Sequence, residues 1–326
     1  MQKVRLHKSA KGAATHAAKG GLHIYGGDCL DLIAKLPDAS VDLIVSSPPY
    51  CIGKEYESTR SVEDFISMHK KLLPELCRVL KEGGNFCWQI GSHVKDGVIT
   101  PLDYLVFAEM QAIPGMFLRN RIIWTYGHGL HCSTRFSGRH EVVMWYSKGK
   151  DYVFNLDAVR VPQKYPGKTY SSGPNKGKLS SNPLGKNPGD VWDIPNVKAN
   201  HVEKTSHPCQ FPTALPQILI KALTHPDAIV FDPFMGSGTS GVAAALENRR
   251  FIGAEIESTY IDVSIERMTD AISGKAKVRP WDKEIEAPDL NRKVARRPDA
   301  FDASTEAAAL LFSGELGTPA IPTGIL

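Results

Sequence analysis

The chain has 326 residues, 42 % of them hydrophobic and 23 % charged, with a net charge of +4. That is enough to bury one substantial core with an appended lobe, or to form two modest domains, and too little net positive charge to identify a polyanionic partner. No run of about eighteen apolar residues could cross a bilayer. The six cysteines form no C-x-x-C pair, and His128, His131 and Cys132 have no second cluster beside them, so neither a disulfide framework nor a metal is expected and a reducing cytoplasm fits.

Residues 1–21 are basic and rich in Ala and Gly without the apolar centre of a secretory signal. They read as a flexible arm, either touching DNA or without function. From Leu22 the pattern is strand (LHIYGGD), helix (CLDLIAKLPDAS) and strand (VDLIVSSPPY). The β-branched run that ends at Ser47 suits a buried parallel strand with something at its carboxyl end. Phe65, Met68, Leu72, Leu76, Val79 and Leu80 recur at helical spacing, with a kink expected at Pro74 and a stop at Gly83-Gly84. The segments NFCWQIG, RNRIIWTYG and RHEVVMWYSKG read as further strands.

Residues 152–205 change character to Pro, Gly, Ser, Asn and Lys. Here Arg160, Lys164, Lys168, Lys176, Lys178, Lys186, Lys198 and Lys204 outnumber Asp157, Asp190, Asp193 and Glu203 by four. The segment reads as an irregular surface for phosphates, the alternative being a solvated linker. Regular patterning returns with a helix (TALPQILIKALT), a strand (AIVFDPF), a glycine turn (MGSGT), a helix (SGVAAALENR), a strand (FIGAEIE) and a last helix to Ile272. Residues 274–326 are charged and Pro-rich, with one apolar patch (AAALLF), and are expected to form a mobile tail. The division is therefore 1–21 arm, 22–151 first half of the patterned domain, 152–205 insertion, 206–273 second half and 274–326 tail.

Two places carry chemistry. In the β-α-β unit around FDPFMGSGT, Gly236 and Gly238 allow a positive φ and close approach to a ligand, and the helix beginning at Thr239 aims unpaired N–H groups at the same place. The spacing departs from G-x-G-x-x-G. Asp232 ends the first strand and Glu255 the second, where an acid accepts hydrogen bonds from ribose hydroxyls. Acids here repel phosphates but suit a nucleoside carrying a sulfonium and an ammonium. A hydrolase-like turn with incidental acids is the competing reading. In the other place, Ser47-Pro48-Pro49-Tyr50, the prolines remove two donors and leave carbonyl acceptors, while Tyr50 offers a flat face to a planar ring. Out of context the same residues would be a turn or a proline-rich ligand.

IVSSPPY together with FDPFMGSGT resembles the DNA amino-methyltransferases. Tetrapeptide first, cofactor loop second and a basic insertion between is similar to the β-group of that family. GGDCLDLIAKLPDASVDLI, GDVWDIP and HPCQFP agree with it in order. The resemblance implies a Rossmann-like, doubly wound, mostly parallel α/β sheet of seven strands with an irregular inserted lobe, and S-adenosyl-L-methionine as cofactor. It gives Asp28 to the adenine of that cofactor, Glu255 to the ribose, Asp232, Phe234, Gly236 and Gly238 to the methionine end, and Thr239 to the helix start. Ser47 and the Pro48 carbonyl would hold the target amino group, Tyr50 would stack on a flipped base, and Phe211 and Pro212 would close the wall. Arg160, Lys164, Lys168, Lys176, Lys178 and Lys186 would meet double-stranded DNA. Ser at position 47 and HPCQFP resemble the cytosine-N4 members, with adenine N6 as the alternative; a non-catalytic DNA-binding protein on the same fold is the reading from another class. The expected setting is nucleoid-associated and non-membrane, as monomer or homodimer, with a cognate restriction endonuclease as a further partner.

Overall fold

The computed structural model describes residues 2–50, 61–127, 129, 131–198 and 200–284. Its centre is a nine-stranded sheet. The strands are β1 (Val4–His7), β2 (Leu22–Gly26), β3 (Val41–Ser46), β4 (Leu80–Ile90), β7 (Met116–Thr125), β8 (His140–Lys148), β9 (Val191–Asp193), β10 (Ile229–Asp232) and β11 (Arg250–Glu255). A separate hairpin pairs β5 (Ser92–Lys95) with β6 (Val98–Pro101). The order in the main sheet is β1-β2-β11-β10-β3-β4-β8-β7-β9. Pairing is parallel from β1 through β4 and antiparallel at β4-β8 and β8-β7. The seven strands from β2 to β7 are those expected; β1 and β9 extend the sheet at its two edges, which corrects the count of seven to nine.

Side chains alternate between two cores, as a strand's period of two requires. Ile44, Phe86, Trp88, Met144 and Phe231 face one core, covered by α1 (Ala10–Ala17), α2 (Cys29–Ile33), α3 (Val62–Val79) and α4 (Leu102–Gln111). Leu43, Val45, Cys87, Trp145 and Val230 face the other, covered by α5 (Ala214–Leu223), α6 (Thr239–Leu246) and α7 (Ser258–Ile272). The chain leaves β3 toward α3 on the first face and leaves β10 toward α6 on the second. Adjacent parallel strands whose exits diverge in this way open a crevice at their carboxyl ends.

Several expectations are corrected. Residues 1–21 are not an arm: β1 pairs with β2 from Val4↔Leu22 to His7↔Tyr25, and α1 buries Ala10, Ala13, Ala14 and Ala17. Those alanines lie at i, i+3, i+4 and i+7, a helical stripe too small in side chain to stand out in composition. Nor does packing on the core end at Gly274. Ala276, Val278 and Trp281 pack on the second core and the first compact unit runs to Lys283, so the boundary moves there; residues 285–326, with AAALLF, lie outside the described residues. The helix α3 runs through Pro74 and ends at Val79, before Gly83-Gly84, which sit inside β4. A Cβ on Gly84 would come within 3.0 Å of the Asp42 carbonyl oxygen, so this glycine lets β3 and β4 approach. The 152–205 insertion contributes β9 to the sheet edge, pairing Trp192 with Trp124. No helix among the described residues is long and apolar enough to cross a membrane.

Two buried polar groups fasten the sheet to its layers. Asn85 donates to the Val153 and Leu223 carbonyls at 3.1 and 3.2 Å and accepts from Trp145 Nε1 at 2.8 Å. His69, on α3, lies within hydrogen-bond distance of the Phe65 carbonyl through Nδ1 (2.8 Å) and accepts from Trp88 Nε1 through Nε2 (3.0 Å). Burial lowers the His69 pKa to about 4. The unfolded chain therefore binds a proton here that the folded chain refuses between the ordinary value and about 4, and stability is lost as pH falls through that window. His69→Gln, which keeps an acceptor for Trp88, is expected to remove this component. The stability difference between wild type and variant in denaturant titrations should shrink by up to about 3 kcal/mol between neutral pH and pH ~4; parallel curves would contradict it.

Candidate active site

The crevice at the divergent strand ends is a cavity of about 1170 Å³. Four strand termini supply its floor: Gly27 and Asp28 after β2, Ser47 to Tyr50 after β3, Pro233 to Ser237 after β10, and Ala254 to Glu257 at the end of β11. The tetrapeptide and the glycine turn, far apart in sequence, thus share one cleft. A buried hydrogen bond joins their strands: Ser46 Oγ donates to Asp232 Oδ1 at 2.5 Å.

Of the residues expected to hold a cofactor, Asp28, Phe234, Gly236, Thr239 and Glu255 line the cavity. Asp28 caps α2, accepting from Leu30 N at 2.8 Å. Glu255 accepts from Gly236 N with one oxygen and from Ile256 N and Glu257 N with the other, each at 2.9 Å, which ties the end of β11 to the glycine turn. Burial raises the Glu255 pKa, opposed by those N–H groups. At Gly236 (φ 48°) a Cβ would come 2.8 Å from His207 Nε2, so the turn passes under the HPCQFP segment as only glycine can.

Asp232 and Gly238 do not line the cavity, which corrects their assignment. Asp232 is fully buried beneath the turn. It accepts from Ser46, from Ser240 Oγ at 2.6 Å and from Phe234 N at 3.1 Å, and burial against these donors brings its pKa to about 6. It shapes the turn rather than facing a ligand. Gly238 (φ 72°) caps α6, and a Cβ there would meet Ser264 Cβ at 2.7 Å and Met268 Cε at 2.9 Å, so its smallness serves the packing of α6 on α7. Arg267 of α7 donates to the Ser237 carbonyl at 2.7 Å and to Thr239 Oγ1 at 3.0 Å, bracing the turn from behind.

Ser47, Pro48, Pro49 and Tyr50 all line the cavity. Ser47 Oγ lies 3.2 Å from the Tyr50 hydroxyl, which donates to Gln89 Oε1 at 2.8 Å, and Gln89 Nε2 in turn donates to Glu141. Burial, followed by the charge of Glu141, pushes the Tyr50 phenol well above its ordinary pKa, so it stays a donor. Gln89 and Glu141 escape a sequence reading because they sit on β4 and β8, whose segments read as core strands. Their signal is a glutamine between Trp88 and Ile90 and a glutamate directly before the apolar run Val142–Trp145, each near the end of its strand.

His207, Pro208, Cys209, Gln210 and Phe211 form one wall, with His207 edge-on to Tyr260 at 4.5 Å between ring centres; Pro212 is not in the wall and accepts from Leu215 N just ahead of α5. None of the six basic residues expected to meet DNA lines the cavity. Arg160 is held by Asp157 (2.6 Å) and the Gly185 carbonyl (3.0 Å), Lys178 reaches Asn175, and Lys164 lies 5.5 Å from the Tyr165 ring centre. The backbone of Lys186 pairs with Val161, while Lys168 and Lys176 sit in the exposed turns beyond it. Among the described residues, the lysines and arginine that do line the cleft are Lys71, Arg135 and Lys198.

Residues 41–266 match the family model for the N6 and N4 DNA methylases. The chain is 46 % identical to the Type II methyltransferase M.BglII of Bacillus subtilis, over 74 % of its own length and 67 % of that protein's. It is 38 % identical to M.ScaI of Streptomyces caespitosus, over 75 % and 80 %. It is 33 % identical to the DNA adenine methyltransferase YhdJ of Escherichia coli, over 75 % and 82 %. Among solved structures, PvuII DNA methyltransferase (cytosine-N4-specific) shares the fold with a TM-score of 0.61 at 22 % identity, covering 81 % of this chain and 96 % of that one. A Thermus thermophilus protein solved with S-adenosyl-L-methionine does so at 0.54 and 24 %, covering 78 % and 96 %. With its tetrapeptide ahead of its glycine turn and an insertion between them, the chain belongs to the N6/N4 DNA methylase family, in the β-group arrangement.

Proposed function

We propose that the chain transfers a methyl group from S-adenosyl-L-methionine to N4 of cytosine in duplex DNA. The observation that carries the reading is the single cleft lined by both Ser47-Pro48-Pro49-Tyr50 and the turn Pro233 to Ser237. Asp28, Glu255 and Glu257 give one end of that cleft an acidic lining, which suits a ribose and a cationic amino acid and disfavours phosphates. The Thermus relative of this fold was solved with the same cofactor. The choice of cytosine rests on the resemblance of Ser47 and of HPCQFP to the cytosine-N4 members. Adenine N6 is the second reading, favoured by the name of the E. coli relative.

Bound S-adenosylmethionine supplies an electrophilic sulfonium methyl. The protein's task is to present a nitrogen to it. An exocyclic amine is a poor nucleophile because its lone pair is delocalised into the ring. Ser47 Oγ lies 3.2 Å from the Tyr50 hydroxyl, and whichever of the two donates, Ser47 keeps a lone pair for the target amine. The Pro48 carbonyl is the second acceptor. Drawing both amino protons toward these oxygens favours a pyramidal nitrogen with its lone pair free, and holding it in place supplies most of the remaining acceleration. Ser47 is too weak a base to deprotonate the amine beforehand, so the proton leaves after transfer, to water. The target atom lies inside a duplex, so the base is extruded at a cost of a few kcal/mol.

Incubation with duplex DNA and cofactor, followed by digestion and mass spectrometry of the nucleosides, should give N4-methyldeoxycytidine; N6-methyldeoxyadenosine would favour the second reading, and no methylated nucleoside would defeat both. Ser47→Ala is expected to lower the transfer rate by about a hundredfold or more with cofactor affinity changed less than about threefold. Equal damage to both would remove Ser47 from its role. For Glu255→Ala the order reverses: cofactor Kd rises by about tenfold or more, and unaltered affinity would count against the ribose assignment.

A further inference from the structure

The segment 127–140, which spans most of the connection from β7 to the first residue of β8, forms part of the cleft rim: Gly129, Cys132, Arg135, Gly138 and His140 line the cavity with Ser47 and Tyr50. It contains two arginines and three histidines and no acidic residue. Cys132 N donates to Ser137 Oγ at 3.1 Å, closing the base of a small projection made of Ser133, Thr134, Arg135 and Phe136. On that projection Phe136 is 100 % exposed. A single exposed apolar side chain is ordinary on a protein surface. This one follows Arg135, which lines a cavity large enough for a nucleoside, and precedes Arg139 by three residues, on a loop whose charge complements phosphate. Of the eight lysine and arginine residues in the insertion, Lys198 lines that cavity and the other seven do not.

We propose that the loop is a DNA-contacting element in which Phe136 enters the base stack where the target base leaves it, while Arg135 and Arg139 hold the flanking phosphates. The proposal rests on the methyltransferase reading above and assigns to it a partner surface. An apolar ring inserted between base steps replaces the stacking lost by the extruded base and opens the duplex locally. It thereby lowers the free energy of the flipped state without touching the reacting atoms. The guanidinium groups supply the sequence-independent part of binding, which is salt-dependent. Because the Phe136 ring is fully exposed, its removal leaves the fold intact.

The test uses the full chain and the duplex whose methylated position the nucleoside analysis and sequencing identify, prepared in two forms. In one the target base is paired; in the other it faces an abasic site and has no partner to leave. Phe136→Ala is expected to lower kcat/KM by about tenfold or more on the paired duplex and by less than about threefold on the abasic form. Phe136→Trp should keep activity on both, and cofactor affinity should be unchanged. Arg135→Gln and Arg139→Gln should each reduce the salt dependence of DNA affinity by about one phosphate contact. Equal losses on the two duplexes, or no loss on the paired one, would overturn the wedge while leaving the enzyme reading in place. A wild-type chain that methylates neither duplex would overturn the enzyme reading and the wedge with it.

Discussion

The cleft depends on two neighbouring parallel strands, β3 and β10, ending side by side while the chain leaves them in opposite directions. Register pairs Val230 with Leu43 and Phe231 with Ile44, and the Ser46–Asp232 hydrogen bond locks the two ends together one step further on. A hydrogen bond to a buried charged group contributes about 1.5–3 kcal/mol. Here it also sets position, because the residue after Ser46 begins the Ser-Pro-Pro-Tyr tetrapeptide and the residue after Asp232 begins the glycine turn. By motif alone Asp232 reads as a ligand residue, and its burial shows why such a reading goes too far. Its oxygens are taken by Ser46, Ser240 and the Phe234 amide, so it builds the site from beneath.

Much of the strand and helix pattern is legible because it rests on local periodicity. Val41–Ser46, Asn85–Ile90, Met116–Thr125, His140–Lys148, Ile229–Asp232 and Arg250–Glu255 all read as strands from β-branched and aromatic runs. The two motifs are legible for a different reason: prolines and glycines have few conformational roles, so their spacing carries information that a run of valines does not. What escapes is decided by tertiary contact. The helix α1 is held by four alanines against the first core, β9 is three residues long and exists by pairing with β7, and Gly84 is required by the approach of Asp42 rather than by a helix end.

The polar network beneath Tyr50 is illegible for the same reason. Nothing in NFCWQIG or RHEVVMWYSKG announces that Gln89 and Glu141 will meet; antiparallel pairing of β4 with β8, from Asn85↔Ser147 to Ile90↔Val142, brings them together. The distribution of charge is open to a similar error. Counting lysines over 152–205 locates a basic segment correctly, but Arg160 is spent on an internal clamp, and the lysines and arginine at the cleft come from α3, the β7–β8 connection and Lys198.

The two halves of the cleft are adjacent in the sheet yet joined through the irregular segment from Tyr152 to Thr205, much of which runs over the surface. A sheet records which strands are neighbours and is indifferent to where the polypeptide is cut. Moving the termini into that segment and linking the old ends elsewhere would reverse the order of the motifs along the chain and leave the hydrogen-bonded neighbours of Ser46 and Asp232 as they are. Circular permutation of this kind changes the genetic reading order of the two motifs without changing the geometry on which the chemistry rests.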